Sequence, residues 1–256
     1  MRVVIHQPYF LPWMGFFAKL FYADYYVAND DVLFSKRHYL DRTKYISMDG
    51  AVKLLTLPVG EHFQSPVNDL YVYDQKIEQR MLRAIHCSYA KAEYFPSEWP
   101  NLEQIMIEAF GRSRQLTEIN LFIIRQILTS LGLTDVKVLR ATEFMPDFEG
   151  DATTRIISSC LRLGCDTIVI GDGGSLRTHE WDRITSEGIR VLKQTFHEDH
   201  PVYRQVRRQR MDFVPGVSII DAILNIGLPD TRRLMASNIY EPNDITDSLM
   251  SSKEPV

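Results

Sequence analysis

Cysteine is scarce in this 256-residue chain. There are three, Cys87, Cys160 and Cys165, an odd set without metal-type spacing. That excludes a disulfide-stapled scaffold and a zinc ribbon, and it fits a reducing, cytoplasmic compartment. No apolar run reaches the roughly 18 residues a spanning helix needs, so only peripheral membrane contact stays open. The aromatic N-terminus is interrupted by His6, Gln7, Pro8 and Pro12 and offers no small-residue cleavage site, so it reads as folded structure rather than a signal peptide. An excess of basic charge is also missing. The 29 Lys and Arg are outnumbered by 33 Asp and Glu, giving a net charge of −4, and no global field draws nucleic acid. There is no internal repeat, no low-complexity tract, no Gly-x-Ser-x-Gly elbow and no recognisable cysteine-nucleophile motif.

What is present is an ordinary globular composition, 45% hydrophobic and 24% charged, rich enough for a sizeable core. Residues 2–6 form a short apolar run stopped by Pro8, the pattern of a buried strand. A Phe-rich helix over 15–22 and a second strand over 24–28 follow, and this βαβ unit implies parallel pairing. Residues 51–59 read as a strand, and 66–74 as a short one. Residues 75–133 carry helical periodicity with breaks expected at Pro96, Pro100 and Gly132; Ile119, Phe122, Ile123, Ile127 and Leu131 mark one apolar face, read as packing. A strand over 136–139 precedes a helix from Asp151 through Leu163, ended by Gly164. A second unit follows: strand 167–170, the loop Gly171-Asp172-Gly173-Gly174-Ser175, helix 176–187 and strand 189–193. An apolar helix over 216–228 closes the pattern. The expected fold class is therefore α/β, three layers around a mostly parallel sheet. Residues 1–74 and 134–235 form two parts of the core, 75–133 a helical subdomain, and 236–256 a loose tail.

The chemistry-bearing residues gather at the ends of the predicted strands. His6 sits at a carboxyl end, where ligands of open α/β sheets lie, with Gln7 beside it. Asp30 and Asp31 end the second strand together; they either bind Mg²⁺ or act as acid and base, or they cap the next segment. Lys36, Arg37, Arg42 and Lys44 cluster in one polar stretch that suits phosphate or carboxylate, or forms a solvated face. The loop from Gly171 to Ser175 is neither a Walker loop nor a dinucleotide fingerprint, but Gly171, Gly173 and Gly174 permit close backbone approach. Trp13 and Phe16 either stack on a base or, the favoured reading, pack in the core. His197, Asp199 and His200 do not make a metal motif, because Pro201 interrupts them and no zincin glutamate follows. The arginines at 204, 207, 208 and 210 read as a solvated or interface patch, without the interleaved aromatics of a single-strand binder.

The opening Ile5-His6-Gln7-Pro8-Tyr9-Phe10-Leu11-Pro12-Trp13-Met14-Gly15-Phe16-Phe17, with Lys19 a turn later and Asp30-Asp31-Val32-Leu33-Phe34-Ser35-Lys36-Arg37 beyond, resembles the WbqC-like protein family. Weaker matches follow in order, among them Ser88-Tyr89, Asn120-Leu121, the Gly171–Ser175 loop, His200-Pro201-Val202-Tyr203 with Gln205, and Ser218-Ile219-Ile220-Asp221; together they cover about residues 3–230. The resemblance implies a role in bacterial surface-polysaccharide, O-antigen or modified-sugar biosynthesis, with His200, Tyr203 and Gln205 lining a pocket. A second, weaker similarity is to adenylyl-transferring, HUP-like α/β folds with HxGH motifs, where phosphates lie against the first helix. Backbone N–H groups at Gly15 would then favour an anion. The chain departs from that pattern, carrying Pro12-Trp13-Met14-Gly15-Phe16 where the paired histidines would fall. These readings lead to a transferase or ATP-dependent ligase that activates a carboxylate for transfer to an amine. His6, Asp31, Lys36 and Arg37 are its catalytic candidates. Gln7, Gly15, Arg42, Gly171, Gly173, Gly174, Ser175, His200, Tyr203 and Gln205 are its binding candidates. ATP and Mg²⁺ are the expected cofactors, with no haem, flavin or iron–sulfur cluster and no protein-held metal. The alternative is a binding or assembly protein that recognises a nucleotide sugar or glycan intermediate.

Overall fold

A computed structural model describes residues 1–34, 39–60, 65–171, 175–196, 200–208, 212–237 and 242–250. The main sheet holds β1 (Arg2–His6), β2 (Tyr25–Ala28), β5 (Lys137–Arg140), β6 (Thr167–Gly171), β7 (Arg190–Gln194) and β8 (Asn243–Asp244), in the order β5-β2-β1-β6-β7-β8. All neighbours pair in parallel except β7 with β8. Counting the parallel strands in chain order, the sheet runs 3-2-1-4-5. From β1 the chain winds outward to one side, then returns to β6 and winds to the other, so the topological switch point lies between β1 and β6. Pairing of these two strands covers Arg2–Thr167 and Val3–Ile168 at their starts, leaving the carboxyl ends, His6 and Gly171, beyond the paired stretch.

Alternation along the strands builds the layers. Val3, Val27, Ile168, Ile170 and Val191 point to one core with Ile156, Cys160 and Ile184 of α6 (Ala152–Leu163) and α8 (Trp181–Ser186). Val4, Tyr26, Ala28, Val169 and Leu192 point to the opposite, larger core, which takes in α1 (Met14–Leu20) and α9 (Ile219–Met235). That core is continuous with α2 (Ile77–Tyr89), α3 (Phe95–Arg112) and α4 (Leu116–Ser130), the helices expected over 75–133. The chain is thus a three-layer α/β protein, as its hydrophobic pattern requires. Among the described residues no helix is long and apolar enough to cross a membrane.

Local chemistry explains where the elements start and stop. Asp151 caps α6 by accepting from the Thr154 N–H at 2.6 Å, and Gly164 ends it with φ 63°. The helical stretch does not break at Pro96 or Pro100. Pro96 falls in the first turn of α3, where its missing N–H loses nothing, and Pro100 gives up one bond in a helix that buries Trp99, Leu102, Ile105 and Met106. The strand expected over 51–59 is β4 (Val52–Thr56), paired antiparallel to β3 (Arg42–Ile46) in a separate hairpin. Residues 66–74 carry a 3₁₀ turn, Val67–Asp69, rather than a strand. The helix expected over 176–187 is split into α7 (Ser175–Thr178) and α8. Within the segment expected to be loose, β8 extends the sheet and α10 (Thr246–Met250) packs on α8. Polar composition hid this, because β8 contributes backbone pairing rather than buried side chains.

Candidate functional site

A cavity of about 710 Å³ opens at the carboxyl edge of the sheet, over the switch point. Such a volume suits a small-molecule ligand. The residues that end the strands supply its floor. They are His6 and Gln7 after β1, Asn29 after β2, Gly171 at the end of β6 and Gln194 at the end of β7. Lys19 of α1, Thr43 and Lys44 of β3, Thr178 at the end of α7, His179 just after it, His200 and the Tyr9 and Tyr39 phenols add to the polar lining. No Asp or Glu lines the cavity among the described residues. Its described charges are therefore all cationic.

His6 holds its Nδ1 2.9 Å from the Gln7 carbonyl. A carbonyl only accepts, so Nδ1 is the donor of this bond. Tyr9 and Phe16 meet the imidazole edge-on, at 4.5 and 5.4 Å between ring centres. Burial, and then the neighbouring Tyr39, push the Tyr9 phenol up to about 12, so it remains a hydrogen-bond donor. The Lys44 ammonium sits 5.8 Å from the centre of the Tyr39 ring and has no ion pair among the described residues. Lys19 is buried, with its ammonium 5.8 Å from the centre of Phe16. Burial lowers the pKa of His179, with Asp151 acting in the opposite sense, so this imidazole is neutral at pH 7.

The loop between β1 and α1 is fixed from four directions. Phe10 N–H donates to Tyr39 O at 2.9 Å, Thr43 Oγ1 to Leu11 O at 2.9 Å, Asn120 Nδ2 to Pro8 O at 2.8 Å, and Ile219 N–H to Pro12 O at 2.8 Å. These bonds hold Leu11 at φ 41°, a conformation that costs a side-chain-bearing residue about 1–3 kcal/mol. The strain sits in the loop that carries His6, Gln7 and Tyr9 into the cavity.

Trp13 follows this loop, and its indole lies against Gly15, where a Cβ would stand 2.2 Å from Cη2. The same indole stacks on His200 at 5.9 Å and 24°, and meets Phe196 edge-on at 5.9 Å. Glycine is present because the indole occupies the space of its side chain. In an unencumbered helix Gly→Ala stabilises by about 1 kcal/mol. Here Gly15→Ala is expected to destabilise by about 1–3 kcal/mol through overpacking and to lose the near-ultraviolet circular dichroism of the Trp13–His200 stack. The double substitution Trp13→Ala/Gly15→Ala should recover the helix gain; a stabilised single Gly15→Ala would refute the packing account.

The sequence-derived candidates divide into three groups. His6, Gln7, Gly15, Gly171 and His200 come together around the cavity. Asp31, Arg42, Tyr203 and Gln205 are not among its lining. Asp31 pairs with Arg155 at 2.8 Å, and Arg42 grips its neighbour Asp41 through two bonds of 2.8 and 2.9 Å. Tyr203 and Gln205 donate to the buried Asp221 at 2.7 and 3.1 Å. Lys36, Arg37, Gly173 and Gly174 lie outside the described residues, as do His197, Asp199 and Arg210, and Ser175 opens α7. Asp30 is a tie. Fully buried, it accepts from Arg140 Nε at 2.8 Å and from Thr142 N–H and Oγ1 at 3.0 and 2.8 Å, holding the turn into α5 (Ala141–Phe144). Among the described residues no group of His, Cys, Asp and Glu is arranged to hold a metal ion. Sequence reasoning missed Asn29, His179 and Gln194. The signal for Asn29 and Gln194 was available: each sits where a predicted parallel strand ends.

A 3-2-1-4-5 parallel sheet with a cationic crevice at its switch point defines a three-layer α/β protein whose site is built from strand ends. The chain belongs to the WbqC-like protein family, whose model matches residues 7–233. It is similar to the uncharacterized protein Rv1507c of Mycobacterium tuberculosis, with 24% identity over 237 residues, covering 91% of this chain and 97% of that protein. No solved structure matches the chain.

Proposed function

We propose that the cavity binds a nucleotide-like or phosphorylated ligand, and that the protein uses ATP to activate a carboxylate, such as an amino acid, for transfer to an amine. The observation that carries the first half is the lining: two lysines and three imidazoles, with no acidic side chain among the described residues. Such a surface repels carboxylates least and attracts phosphates most. The second half draws on the resemblance, which places the acceptor among amino sugars of bacterial surface-polysaccharide or modified-sugar biosynthesis. The reaction would take place in the cytoplasm, where ATP is supplied.

In this scheme a carboxylate oxygen attacks the α-phosphorus of ATP, and the bond to the β-phosphate oxygen breaks to release pyrophosphate. The amine nitrogen then attacks the acyl carbon, loses a proton and displaces AMP. Lys19 and Lys44 offset the charge that builds on the phosphates. His6, with Nδ1 donating to the Gln7 carbonyl, offers Nε2 to accept the proton from the amine. Asp31 is committed to Arg155 and does not serve that step. Mg²⁺ suits phosphate oxygens and water better than a lining of imidazoles, amides and lysines without a carboxylate among the described residues, so it would enter with the nucleotide.

A melting-temperature screen with ATP, other nucleotides and nucleotide sugars, with and without Mg²⁺, tests the binding half. At a hundredfold excess over Kd, a ligand adds about 2.7 kcal/mol, an upward shift of about 5–10 °C for a chain of this size. Lys44→Ala should shrink that shift. Amino-acid-dependent ATP–pyrophosphate exchange tests the chemistry. No shift with any nucleotide would sink the reading as a whole, and a shift without exchange would sink the carboxylate step.

The aromatic walls favour a second reading. Tyr9 against Tyr39 at 5.9 Å and Trp13 against His200 are platforms of the kind that hold sugars and bases alike. In that reading the protein binds a nucleotide sugar or glycan intermediate for a partner transferase. A melting shift with nucleotide sugars alone would support it.

A further inference from the structure

We propose that Gln194 and His179 read the base of the bound nucleotide, and that the base is adenine. The inference rests on nucleotide binding at this cavity and adds to it an orientation and the residues that select adenine. Gln194 is the last residue of β7, is 2% exposed, and lines the cavity. Its Nε2 is buried without a hydrogen-bond partner among the described residues, and so is Nδ1 of His179 on the same lining. Buried polar atoms without a partner are rare in folded proteins, and two of them on one cavity, the amide nitrogen of Gln194 and a ring nitrogen of His179, mark a surface built for a ligand edge.

The two halves of the cavity differ in chemistry. On the β7 side, Phe196 lies two residues beyond Gln194, fully buried, and packs edge-on against both Trp13 and His200 at 5.9 and 5.3 Å. Phe196 thus backs the Trp13 and His200 rings, which are on the lining, and that side adds a neutral amide and an imidazole that burial keeps uncharged. On the β1 side stand His6, the Tyr9 and Tyr39 phenols and the Lys44 ammonium. Neighbouring strands lie about 4.8 Å apart, so the ends of β1 and β7, with β6 between them, are separated by about 10 Å. This matches the distance from the base of a nucleotide to its phosphates. The phosphates therefore sit toward β1 and the base toward β7.

Base identity follows from the amide. A glutamine pairs in bidentate fashion with the N6/N7 edge of adenine, its nitrogen donating to N7 and its oxygen accepting from the amino group. Guanine and hypoxanthine present two acceptors at that edge, one of which must face the amide oxygen. His179 supplies a second polar contact beside it.

The test is the dissociation constant of ATP, GTP and inosine triphosphate for the full chain, measured by calorimetry. ATP is expected to bind more tightly than either by about 5- to 150-fold, the worth of one bidentate pair. Gln194→Leu and Gln194→Met should each bring that ratio close to one. Both variants should melt no lower than wild type without nucleotide, since each removes an unpaired buried donor. Should β7 tolerate neither, His179→Leu, placed outside the sheet between α7 and α8, is expected to narrow the ratio as well. Equal affinities for ATP and GTP in the wild type, or a ratio unmoved by these substitutions, overturns the base assignment while leaving nucleotide binding standing. A protein that binds none of the three loses both.

Discussion

Asp221→Ala is expected to destabilise the protein by about 3–5 kcal/mol, the cost of stripping a shared acceptor from several buried donors. Asp221 is fully buried on the first turn of α9. It accepts from Tyr89 at 2.9 Å, Tyr203 at 2.7 Å and Gln205 at 3.1 Å. Tyr89 in turn accepts from the Ile46 N–H at 3.1 Å, and Gln205 is bonded to Val214 through both its amide atoms. One carboxylate thus ties α2, the β3–β4 hairpin and the segment carrying His200, Pro215 and Gly216 to α9. In a chain of this size, the loss corresponds to a drop of about 6–20 °C in melting temperature. A drop of less than about 3 °C would refute the network's role.

The same residue gives a pH signature of definite sign. Burial raises the Asp221 carboxyl from its ordinary value to about 6, against the opposing pull of its hydrogen-bond donors. Between about pH 6 and pH 4 the native state holds a proton that the unfolded chain has released. Stability from this group is therefore greatest below the unfolded value and is lost as pH rises through 6, by about 3 kcal/mol over the window. Carboxylates with lowered values, such as Asp151 and Asp166, act in the opposite direction and weaken the fold as pH falls below the ordinary range. The buried His179, whose pKa is lowered, acts against this between pH 7 and pH 5, so the Asp221 contribution is read as a difference: in denaturant titrations, lowering the pH from 7 to 5 should favour the wild type more than Asp221→Asn.

The parallel core was legible because its strands are buried on both faces and read as continuous apolar runs. Val3-Val4-Ile5 and Ile168-Val169-Ile170 need no context to be recognised. Asp151 and Gly164 announced the ends of α6 through capping chemistry alone. The hairpin strand Arg42–Ile46 was not legible, since its alternation is carried by Arg42 and Lys44, which look like loop residues until Thr43 and Tyr45 are seen to be buried. His6 and Gly171 both line the cavity, as expected where parallel strands deliver their carboxyl ends to one edge. Gln194 and Asn29 obey the same rule but needed the strand order to show which ends adjoin the switch point. A motif match does not separate lining from support. His200 reaches the cavity, while Tyr203 and Gln205, a few residues on, turn inward to Asp221. The pair Asp30-Asp31, open in the sequence between a shared site and caps, divides, because adjacent strand-end residues face different ways, one to Arg140 and the other to Arg155.

His6→Ala is expected to leave the fold intact and reduce turnover by about 10²–10⁴-fold, the usual contribution of a positioned general base. The fold is expected to survive because the ring's hydrogen bond to Gln7 O is local in the chain, and its contacts with Tyr9 and Phe16 are edge-on rather than part of the buried core's ladder of hydrogen bonds. Two roles for the imidazole predict different rescue. If His6 donates to a phosphate oxygen, His6→Gln supplies an N–H at similar reach and should restore most of the activity, with the alanine defect falling on KM. If His6 accepts the amine proton through Nε2, glutamine cannot titrate and should be as poor as alanine, with the defect falling on kcat and the low-pH limb of the kcat profile disappearing. With Nδ1 donating to the Gln7 carbonyl and Nε2 as the base, the second outcome is expected. Pyrophosphate exchange separates the steps further. A base acting on the amine is needed only after the carboxylate is activated, so His6→Ala should keep the exchange reaction while losing amide formation. Loss of exchange together with transfer would move His6 to the activation step, and turnover within about twofold of wild type would remove it from the chemistry.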